Sequence, residues 1–511
     1  MTLRACVVVP ARDEEDLIGA CIAALAHQTG VARDAYEVIL VLDRCTDATA
    51  ERAIQAAAGM TLHLIPSNGA GVGHARRTGM DLAADRLPPD GLIATTDADS
   101  TPAPDWLANQ LRAVANGARA IGGRIDVRDA TPAALARREV DAARRRAELR
   151  GAGAREHHQF SGASFAVTSA TYTRVGRLEP RHALEDEGFE RALRHHGIPI
   201  ERLASVKVTT SGRRLGRAPR GLAVDLRRNA WLHERSYDAG DFSLDALLAA
   251  KQHTISVILP TRNVATTLAP ILDTLRGPLI DELLVVDGNS TDGTIDVAIE
   301  RGVRAITQPH TGKGDAMRHG LANTTGELVA YLDTDTEDFT AGFVLGLLGP
   351  LLTEPVDFVK GHFRRPFKHG DTTQPDGGGR VTELLARPYL NLHFPELAGF
   401  RQPLAGEIAA TRHLLQSLPF PTGYGIEIAM LIDTYRAVGL ERMAQVDLGT
   451  RQNRHQSLAD LSKMALEVLT AAERRTHGAS DPGKLLIPTP DDFEARAVLT
   501  EEHPPLAERS G

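Results

Sequence analysis

Short apolar runs that end in polar or acidic residues occur in the same order in both halves of the chain. They span 5–9, 38–42, 62–65 and 92–96 in the first half, and 255–259, 283–286 and 328–331 in the second. Runs of this length are too short for helices and are typical of buried strands in a parallel sheet. Helical patterns alternate with the runs, which favours βαβ units. The sequence therefore predicts an α/β fold with two tandem Rossmann-like domains, each built on a mostly parallel sheet.

Chain length and patterning together suggest where the domains begin and end. A chain of 511 residues is long enough for two or three domains with complete cores. Strand-like patterning stops between Trp231 and Thr254. We expect a first domain at 1–240, a second domain at 250–480, and a polar C-terminal tail at 481–511.

The composition is that of an ordinary soluble globular protein, with 42% hydrophobic and 24% charged residues. A net charge of −8 gives no reason to expect nucleic acid or an anionic membrane as a partner. The sequence contains no apolar run long enough to span a bilayer and no signal-peptide pattern. Its three cysteines lack metal-binding spacing and fit a reducing compartment. These features predict a cytoplasmic protein without an integral membrane segment.

An Asp-x-Asp pair, Asp333 and Asp335, follows the run 328–331. Ligands of open α/β sheets bind beyond the carboxyl ends of the strands, where both side chains are expected to lie. Two carboxylates one residue apart can face the same divalent cation, and hard oxygen ligands suit Mg²⁺ or Mn²⁺. An acidic, solvated turn is the alternative for an isolated pair. The neighbouring landmarks favour a metal site that also holds the phosphates of a substrate.

Further polar residues follow the other predicted strands of the second half. The candidates for binding a nucleotide donor are Pro260, Thr261, Asn263, Asp287, Ser290, Lys313 and Asp333. Asp287 can accept hydrogen bonds from a nucleobase or a ribose. Lys313 lies between two glycines and can approach a phosphate closely, so that it and the metal would stabilise a leaving diphosphate. A helix cap or a surface charge explains Asp287 or Lys313 alone, but the whole set favours a nucleotide-sugar site.

The first half resembles the inverting GT-A glycosyltransferases. The resemblance rests on the segment 10–15, Asp43, Gly73 and the pair Asp97 and Asp99. It implies a GT-A fold in which the donor is bound by Pro10, Arg12, Glu14, Asp43 and Asp97, and a metal by Asp99. The Gln-x-x-Arg-Trp pattern of processive members is absent from the sequence, which argues against a polysaccharide synthase.

The segment 185–187, Glu-Asp-Glu, precedes a predicted helix at 188–195. In the inverting enzymes a carboxylate at this place removes the proton from the acceptor hydroxyl. Asp186 is our first choice for this base, and Glu185 is close behind. The alternative is an acidic first turn of the helix. Four arginines that follow the strand end at 209–212 could grip a diphosphate: Arg213, Arg214, Arg217 and Arg220.

The second half resembles the glucosyl-3-phosphoglycerate synthases, which are retaining enzymes of the GT-A fold. The matching segments are 312–316, 331–335, 378–384, 402–407, 420–427 and 445–449. The resemblance implies that the acceptor is 3-phosphoglycerate and that the donor sugar is a hexose, in this family glucose. Both domains would then be nucleotide-sugar-binding domains, with Mg²⁺ or Mn²⁺ as the cofactor.

The same resemblance assigns residues to the acceptor. Gly379, Arg380 and Thr382 would hold its phosphate, for which a guanidinium, a hydroxyl and a backbone amide are well suited. Tyr424 and Glu427 would lie near the acceptor hydroxyl or the glycerate, and we assign Glu427 a catalytic role together with Lys313. A structural N-cap is the alternative for Glu427.

The family often takes a third metal ligand from a histidine after the last strand. Asn453 stands at that place here, and His455 follows two residues later. Imidazole is an acceptable ligand for Mn²⁺, so His455 is our candidate, with a lone surface histidine as the alternative.

We expect a glycosyltransferase in which the first domain catalyses a second transfer to an unidentified acceptor. Two alternatives are a sugar nucleotidyltransferase and a chain in which one half serves as a binding or dimerisation module. The sequence leaves open whether the protein is a homodimer.

Overall fold

Two α/β units, Met1–Ala230 and Trp231–Gly511, divide the chain. The computed structural model describes residues 3–67, 69, 71–148, 156–216, 220–364, 367–369, 372–374, 379–451, 457–478, 482–489 and 492–507. Among the helices in these ranges, none combines the length and the apolarity needed to cross a membrane.

The first unit alternates strands and helices, as the sequence pattern predicts. Its strands are β1 (Ala5–Ala11), β2 (Tyr36–Leu42), β3 (Leu62–Pro66), β4 (Leu92–Thr95), β5 (Ser100–Pro102), β6 (Ala120–Arg128), β7 (Phe165–Thr168) and β8 (Ile200–Ser211). Its helices are α1 (Ile18–Ala26), α2 (Thr49–Ala56), α3 (Val72–Arg86), α4 (Trp106–Ala115), α5 (Pro132–Glu148), α6 (Ser169–Arg174) and α7 (Glu185–His195), and α8 (Leu222–Glu234) runs across the division between the units.

The sheet of the first unit is mixed, with the order β3-β2-β1-β4-β7-β6-β8-β5. Strands β3, β2, β1 and β4 are parallel, whereas β7 runs antiparallel to both of its neighbours. Alternate residues of β1 enter two different cores: Val7 and Val9 face one, and Cys6 and Val8 face the other. Both faces of the strand are therefore buried, which explains why its sequence is continuously apolar rather than alternating.

The second unit repeats this plan. Its strands are β9 (Ser236–Asp238), β10 (Ile255–Thr261), β11 (Glu282–Asp287), β12 (Arg304–Thr307), β13 (Leu328–Tyr331), β14 (Phe358–Arg364), β15 (Phe367–His369), β16 (Thr372–Gln374), β17 (Ile408–Thr411), β18 (Phe420–Pro421), β19 (Met443–Thr450), β20 (Lys484–Pro488), β21 (Phe493–Ala497) and β22 (Glu502–His503). Its helices are α9 (Leu244–Ala250), α10 (Ala265–Leu275), α11 (Thr294–Glu300), α12 (Lys313–Ala322), α13 (Ala341–Thr353), α14 (Arg387–His393), α15 (Arg412–Ser417), α16 (Ile426–Val438) and α17 (Leu458–Thr476). A π-helical turn, Thr382–Ala386, leads into α14.

The large sheet of the second unit has the order β12-β11-β10-β13-β17-β14-β19-β9. Seven of its positions correspond to those of the first sheet, and β17 is antiparallel like β7. The edge position differs. In the first unit β5 fills it, whereas in the second unit β9 fills it and pairs in parallel with β19.

The segment around β9 was expected to close the first domain at residue 240, but it belongs to the second unit. Trp231 is 3% exposed, and its indole N–H donates to the Met443 carbonyl at 2.7 Å. Phe242 packs so closely on Gly349 that a Cβ at the glycine would lie 2.3 Å from the ring. Aromatic burial therefore fixes this segment to the second sheet, although its strand of three residues is too short to recognise from the sequence.

The segment 481–511 also differs from the expected polar tail. Strand β22 pairs with β18, and the Thr422 N–H donates to the Glu501 carbonyl at 2.9 Å. Strands β20 and β21 form a separate hairpin. Half of the described residues of this segment therefore lie in strands of the second unit.

Strand β14 carries a lysine in the interior of the unit. Lys360 is 1% exposed, and its Nζ donates to the Ala405 carbonyl at 2.8 Å. Burial lowers the pKa of Lys360 to about 8, against the opposing effect of nearby Glu427.

The pKa of Lys360 predicts how stability depends on pH. Because the pKa rises from about 8 to its ordinary 10.5 on unfolding, the unfolded chain binds more protons between these values. Lys360 therefore opposes folding below pH 8, and this cost disappears as the pH rises towards 10.5. Relative to Lys360→Met, the wild-type free energy of unfolding should rise by about 3 kcal/mol over this range. Urea titrations followed by Trp231 fluorescence, in a Trp106→Phe background, measure this free energy for both proteins at each pH. A difference between the two proteins that does not change with pH would contradict a buried charge at Lys360.

The packing of the segment 231–248 predicts the boundary of an autonomous fragment. A fragment 231–511 should unfold cooperatively, whereas a fragment 249–511 lacks Trp231, β9 and Phe242. The shorter fragment should lose at least about 3 kcal/mol of unfolding free energy, the typical cost of removing one buried aromatic side chain. Urea unfolding followed by far-UV circular dichroism compares the two. Equal midpoints would show that the segment does not stabilise this unit.

Candidate active site

The carboxyl ends of the central strands in the second unit surround a cavity of about 450 Å³. The sequence-predicted residues that line it are Pro260, Thr261, Lys313, Asp333, Asp335, Gly379, Arg380, Thr382, Tyr424 and Glu427. Parallel strands β10, β11 and β13 end at the same edge of the sheet, so the loops that follow them meet there. The fold thus brings the donor, metal and acceptor candidates together.

Lys313 lies between two carboxylates. Its Nζ is 2.8 Å from Asp333 Oδ1 and 2.7 Å from Glu427 Oε1. Burial lowers the pKa of Lys313, but the two carboxylates outweigh burial and keep the pKa above its ordinary value. A Cβ at Gly406 would lie 2.4 Å from this Nζ and 2.5 Å from Asp333, so the close approach requires glycine. Lys313 is therefore a fixed positive charge.

Arg451 is a second cation at this site, and the sequence reasoning missed it. It follows β19 directly and is 1% exposed. Its guanidinium lies 2.5 Å from Asp335 Oδ1 and 3.6 Å from Asp333 Oδ2, and it also forms an ion pair with the buried Glu407. The sequence did contain a signal for Arg451: it stands at the end of an apolar run. The functional candidates of this unit had been found at the ends of the other predicted strands.

We call the charged groups around Lys313 the carboxylate cluster. It consists of Asp333, Asp335, Glu407 and Glu427 with the cations Lys313, Lys360 and Arg451. Four carboxylates against three cations leave net negative charge among these residues, and the Asp335 side chain is 57% exposed. Oxygen ligands with excess negative charge fit a divalent cation such as Mg²⁺ or Mn²⁺. His455 and Asn453 lie outside the described residues.

Three of the predicted donor-binding side chains lie behind the cavity wall. Asn263 Oδ1 accepts from the Thr291 N–H, and Ser290 Oγ accepts from the Asn263 N–H. Asp287 is buried, and its Oδ2 accepts from the Ser290 N–H at 3.0 Å. Its other oxygen, Oδ1, is buried without a hydrogen-bond partner among the described residues. Asn263 and Ser290 therefore shape the loops, and Asp287 retains one unused acceptor atom.

The acceptor candidates lie on the segment 379–382 and at the start of α16. Gly379 has φ +79°, a conformation that favours glycine, and Thr382 is buried at the start of the π-helical turn. Glu427 lies inside the first turn of α16, so the N-cap alternative does not apply to it. Burial raises the pKa of the Tyr424 hydroxyl. Before the segment 379–382, residues 371 and 375–378 lie outside the described residues.

The C-terminal segment supplies part of the cavity wall. Leu499 lines the cavity, and its N–H donates to Glu467 Oε1 at 3.0 Å. The other oxygen of Glu467 accepts from the Tyr424 N–H at 2.9 Å. His503 Nε2 lies 2.9 Å from Asp315 Oδ1 on α12. These contacts connect distant parts of the chain, and no local sequence pattern indicates them.

The first unit has a comparable ion-pair network. Arg76 is 1% exposed and lies 2.7 Å from Asp97 Oδ1 and 3.0 Å from Glu185 Oε1. A Cβ at Gly162 would lie 2.4 Å from the Arg76 guanidinium, just as a Cβ at Gly406 would lie 2.4 Å from Lys313 Nζ. Val72 stands at the start of α3, where α12 has Lys313. The first unit thus places its buried cation one helical turn further along.

A second arginine of the first unit contacts the predicted metal ligand. Arg213 follows β8 and lies 2.6 Å from Glu14 Oε1 and 3.0 Å from Asp99 Oδ2. Burial and Asp97 raise the pKa of Asp99 to about 6, against the opposing effect of Arg213. This arrangement matches that of Arg451 and Asp335 in the second unit.

The remaining candidates of the first unit lie at the same edge of its sheet. Asp186 Oδ2 accepts from the Gly162 N–H at 2.9 Å. Asp43 is buried, and its Oδ2 accepts from the Gly71 N–H at 2.9 Å. Pro10 lies in β1, and the exposed Arg12 follows that strand directly. Arg217 lies outside the described residues.

Comparisons with known proteins identify the family of this chain. Residues 6–175 and 256–405 match the glycosyl transferase family 2. The glucosyl-3-phosphoglycerate synthase of Mycolicibacterium smegmatis is 41% identical over 294 residues, which are 54% of this chain and 97% of that protein.

Two solved structures are also similar. A mannosyl-3-phosphoglycerate synthase from Rubrobacter xylanophilus is 44% identical with a TM-score of 0.49, covering 54% of this chain and 98% of that one. A glucosyl-3-phosphoglycerate synthase from Mycobacterium tuberculosis, solved with Mn²⁺, UDP-glucose and phosphoglyceric acid, is 39% identical with a TM-score of 0.48, covering 52% of this chain and 95% of that one. Because the family matches both halves, this chain belongs to glycosyl transferase family 2 and is a glycosyltransferase.

Proposed function

We propose that the second unit transfers a hexose, most simply glucose, from a nucleoside diphosphate sugar to 3-phosphoglycerate. The observation that carries the proposal is the single cavity in which Lys313, the Asp333–Asp335 pair and the segment 379–382 meet. The identity of 41% with a glucosyl-3-phosphoglycerate synthase supports this choice of acceptor and sugar.

The donor base is proposed to bind between β10 and β12. Asp287 Oδ1 and Gln308 Oε1 are both buried without a hydrogen-bond partner among the described residues. Gln308 and Gly288 line the cavity, and the Gln308 N–H donates to the Asp287 carbonyl at 3.0 Å. Buried acceptors of this kind are costly unless a ligand satisfies them. An N–H donor of the base, such as the single N3–H of a uracil, would satisfy one of these acceptors.

The diphosphate is proposed to bind at the carboxylate cluster. A divalent cation held by Asp335 and Asp333 would stabilise the negative charge of the departing diphosphate. Lys313, at the N-terminus of α12, contributes a positive charge that needs no reorganisation during the reaction. Glu427 holds Lys313 from the acceptor side of the cavity, and this position suits an orienting role towards the acceptor hydroxyl.

The acceptor phosphate is proposed to bind to Gly379, Arg380 and Thr382. All three line the cavity. A guanidinium fork, a hydroxyl and a glycine amide together match the geometry of a phosphate dianion. Tyr424 also lines the cavity, where its hydroxyl would contact the glycerate.

The first unit is proposed to catalyse a second glycosyl transfer. The match of residues 6–175 to the family and the network of Arg76, Asp97 and Glu185 support it. Asp99 would hold the metal and Asp186 would act as the base. Among its described residues, the first unit shows no counterpart of the segment 379–382 from which an acceptor could be inferred.

The metal site is tested by Asp335→Ala. Loss of the carboxylate should lower transfer to 3-phosphoglycerate at least about a hundredfold, because the metal stabilises the diphosphate by several kcal/mol. The variant should also lose Mn²⁺ binding in a titration without substrate. Glu337→Ala removes an exposed carboxylate nearby, and Asp99→Ala disables the first unit only, so both should retain this transfer. Full activity in excess chelator would refute the metal site.

The phosphate site is tested by Arg380→Ala. Losing both bonds of the guanidinium fork should raise the acceptor KM about tenfold to a hundredfold, with little change in donor KM. Arg380→Lys should restore only part of the affinity, because a point charge cannot replace the fork. Steady-state kinetics with 3-phosphoglycerate and with glycerate measure the selectivity of the unmutated enzyme. Equal use of the two acceptors would mean that no phosphate site exists.

A further inference from the structure

Helix α17 forms one wall of the cavity through Leu461, Lys463, Met464 and Glu467. Its position is fixed by hydrogen bonds at its middle and at its C-terminal end. Glu467 accepts from the N–H groups of Tyr424 and Leu499, and the Tyr389 hydroxyl donates to Thr476 Oγ1 at 2.7 Å. Helix α17 is thereby held against the start of α16 and against α14, which continues from the π-helical turn at Thr382. A side chain on this wall faces the acceptor side.

The cations that line the cavity differ in whether they form ion pairs with the protein. Lys313 and Arg451 are neutralised by the carboxylate cluster. Lys463 is half-buried and has no ion-pair or hydrogen-bond partner among the described residues. Glu467 lies one helical turn beyond Lys463, but both of its oxygens accept backbone N–H groups instead. A cation at a cavity wall without a protein partner is suited to an anionic group of a substrate.

Arg262 also lines the cavity without an ion-pair partner among the described residues. It follows β10, beside Gly288 at the end of β11, where the nucleotide is proposed to bind. Arg262 therefore lies beside the proposed donor site, whereas Lys463 lies on α17, the helix whose Glu467 contacts the acceptor candidate Tyr424.

We propose that Lys463 binds a second anionic group of the acceptor, its carboxylate, while Gly379, Arg380 and Thr382 bind the phosphate. This inference rests on the proposed function and specifies the acceptor further. The planar fork of Arg380 matches a phosphate, which leaves the carboxylate of a three-carbon phosphorylated acid for the single point charge of a lysine. The site then selects acceptors that carry an anion at both ends.

The test compares Lys463→Gln with the unmutated enzyme, using calorimetry in the presence of Mn²⁺ and UDP. The Kd for 3-phosphoglycerate should rise about tenfold, equivalent to about 1.4 kcal/mol. The Kd for glycerol 3-phosphate, which lacks the carboxylate, should be the same in both proteins. Lys463→Arg should keep most of the affinity, and the KM for the nucleotide sugar should stay within about twofold. Lys484→Gln removes an exposed lysine outside the cavity and serves as the control for net charge.

Each other outcome overturns the inference. An unchanged Kd for 3-phosphoglycerate shows that Lys463 does not bind the acceptor. An equal loss of affinity for 3-phosphoglycerate and glycerol 3-phosphate would mean that Lys463 binds the phosphate. A raised KM for the nucleotide sugar would mean that it binds the donor. The proposed function fails separately, if the unmutated enzyme does not transfer sugar to 3-phosphoglycerate at all. Retained transfer with an unaffected Lys463→Gln variant would reject only the role of Lys463.

Discussion

The charges at the carboxyl edge of the second sheet are the constraint on which the site depends. Four carboxylates converge there, and without cations their mutual repulsion would oppose folding. Lys313, Lys360 and Arg451 prevent this, and each comes from a different element of the fold. Removing one partner of such a network leaves a buried charge uncompensated, which is strongly destabilising. The ion pairs of Lys313 and Arg451 therefore hold the start of α12 and the end of β19 at this edge of the sheet.

The first unit meets the same constraint with other residues. Arg76 occupies the space beside the first aspartate that Lys313 occupies in the second unit, and Gly162 packs against it as Gly406 does against Lys313. Arg213 approaches Asp99 from the end of the corresponding strand. The two halves thus resemble each other more in how their charged groups are arranged than in which residues carry the positive charges. Aspartates at strand ends are shared, whereas the cations have changed type and position.

Segments beyond the repeated core complete the second unit. The segment 231–242 supplies an edge strand and two aromatic anchors, and the segment 498–503 closes one side of the cavity. Glu467 joins that second segment to Tyr424, so part of the acceptor wall depends on residues close to the C-terminus. Helix α17 holds this wall in place and carries Lys463 into it.

The sequence by itself determined the α/β class, the positions of strands β1–β4, β10, β11 and β13, and the aspartates at strand ends, because apolar runs and strand ends are local properties of the chain. It also indicated that Lys313, Arg380 and Thr382 would share a site, through their positions in matching motifs. Only the tertiary structure decided which charges pair. Arg451, a lone arginine after a strand, has the same local pattern whether it is solvated or paired with Asp335 and buried Glu407. The same reason applies to the segments 231–242 and 498–503, whose role depends on contacts between residues far apart in the chain.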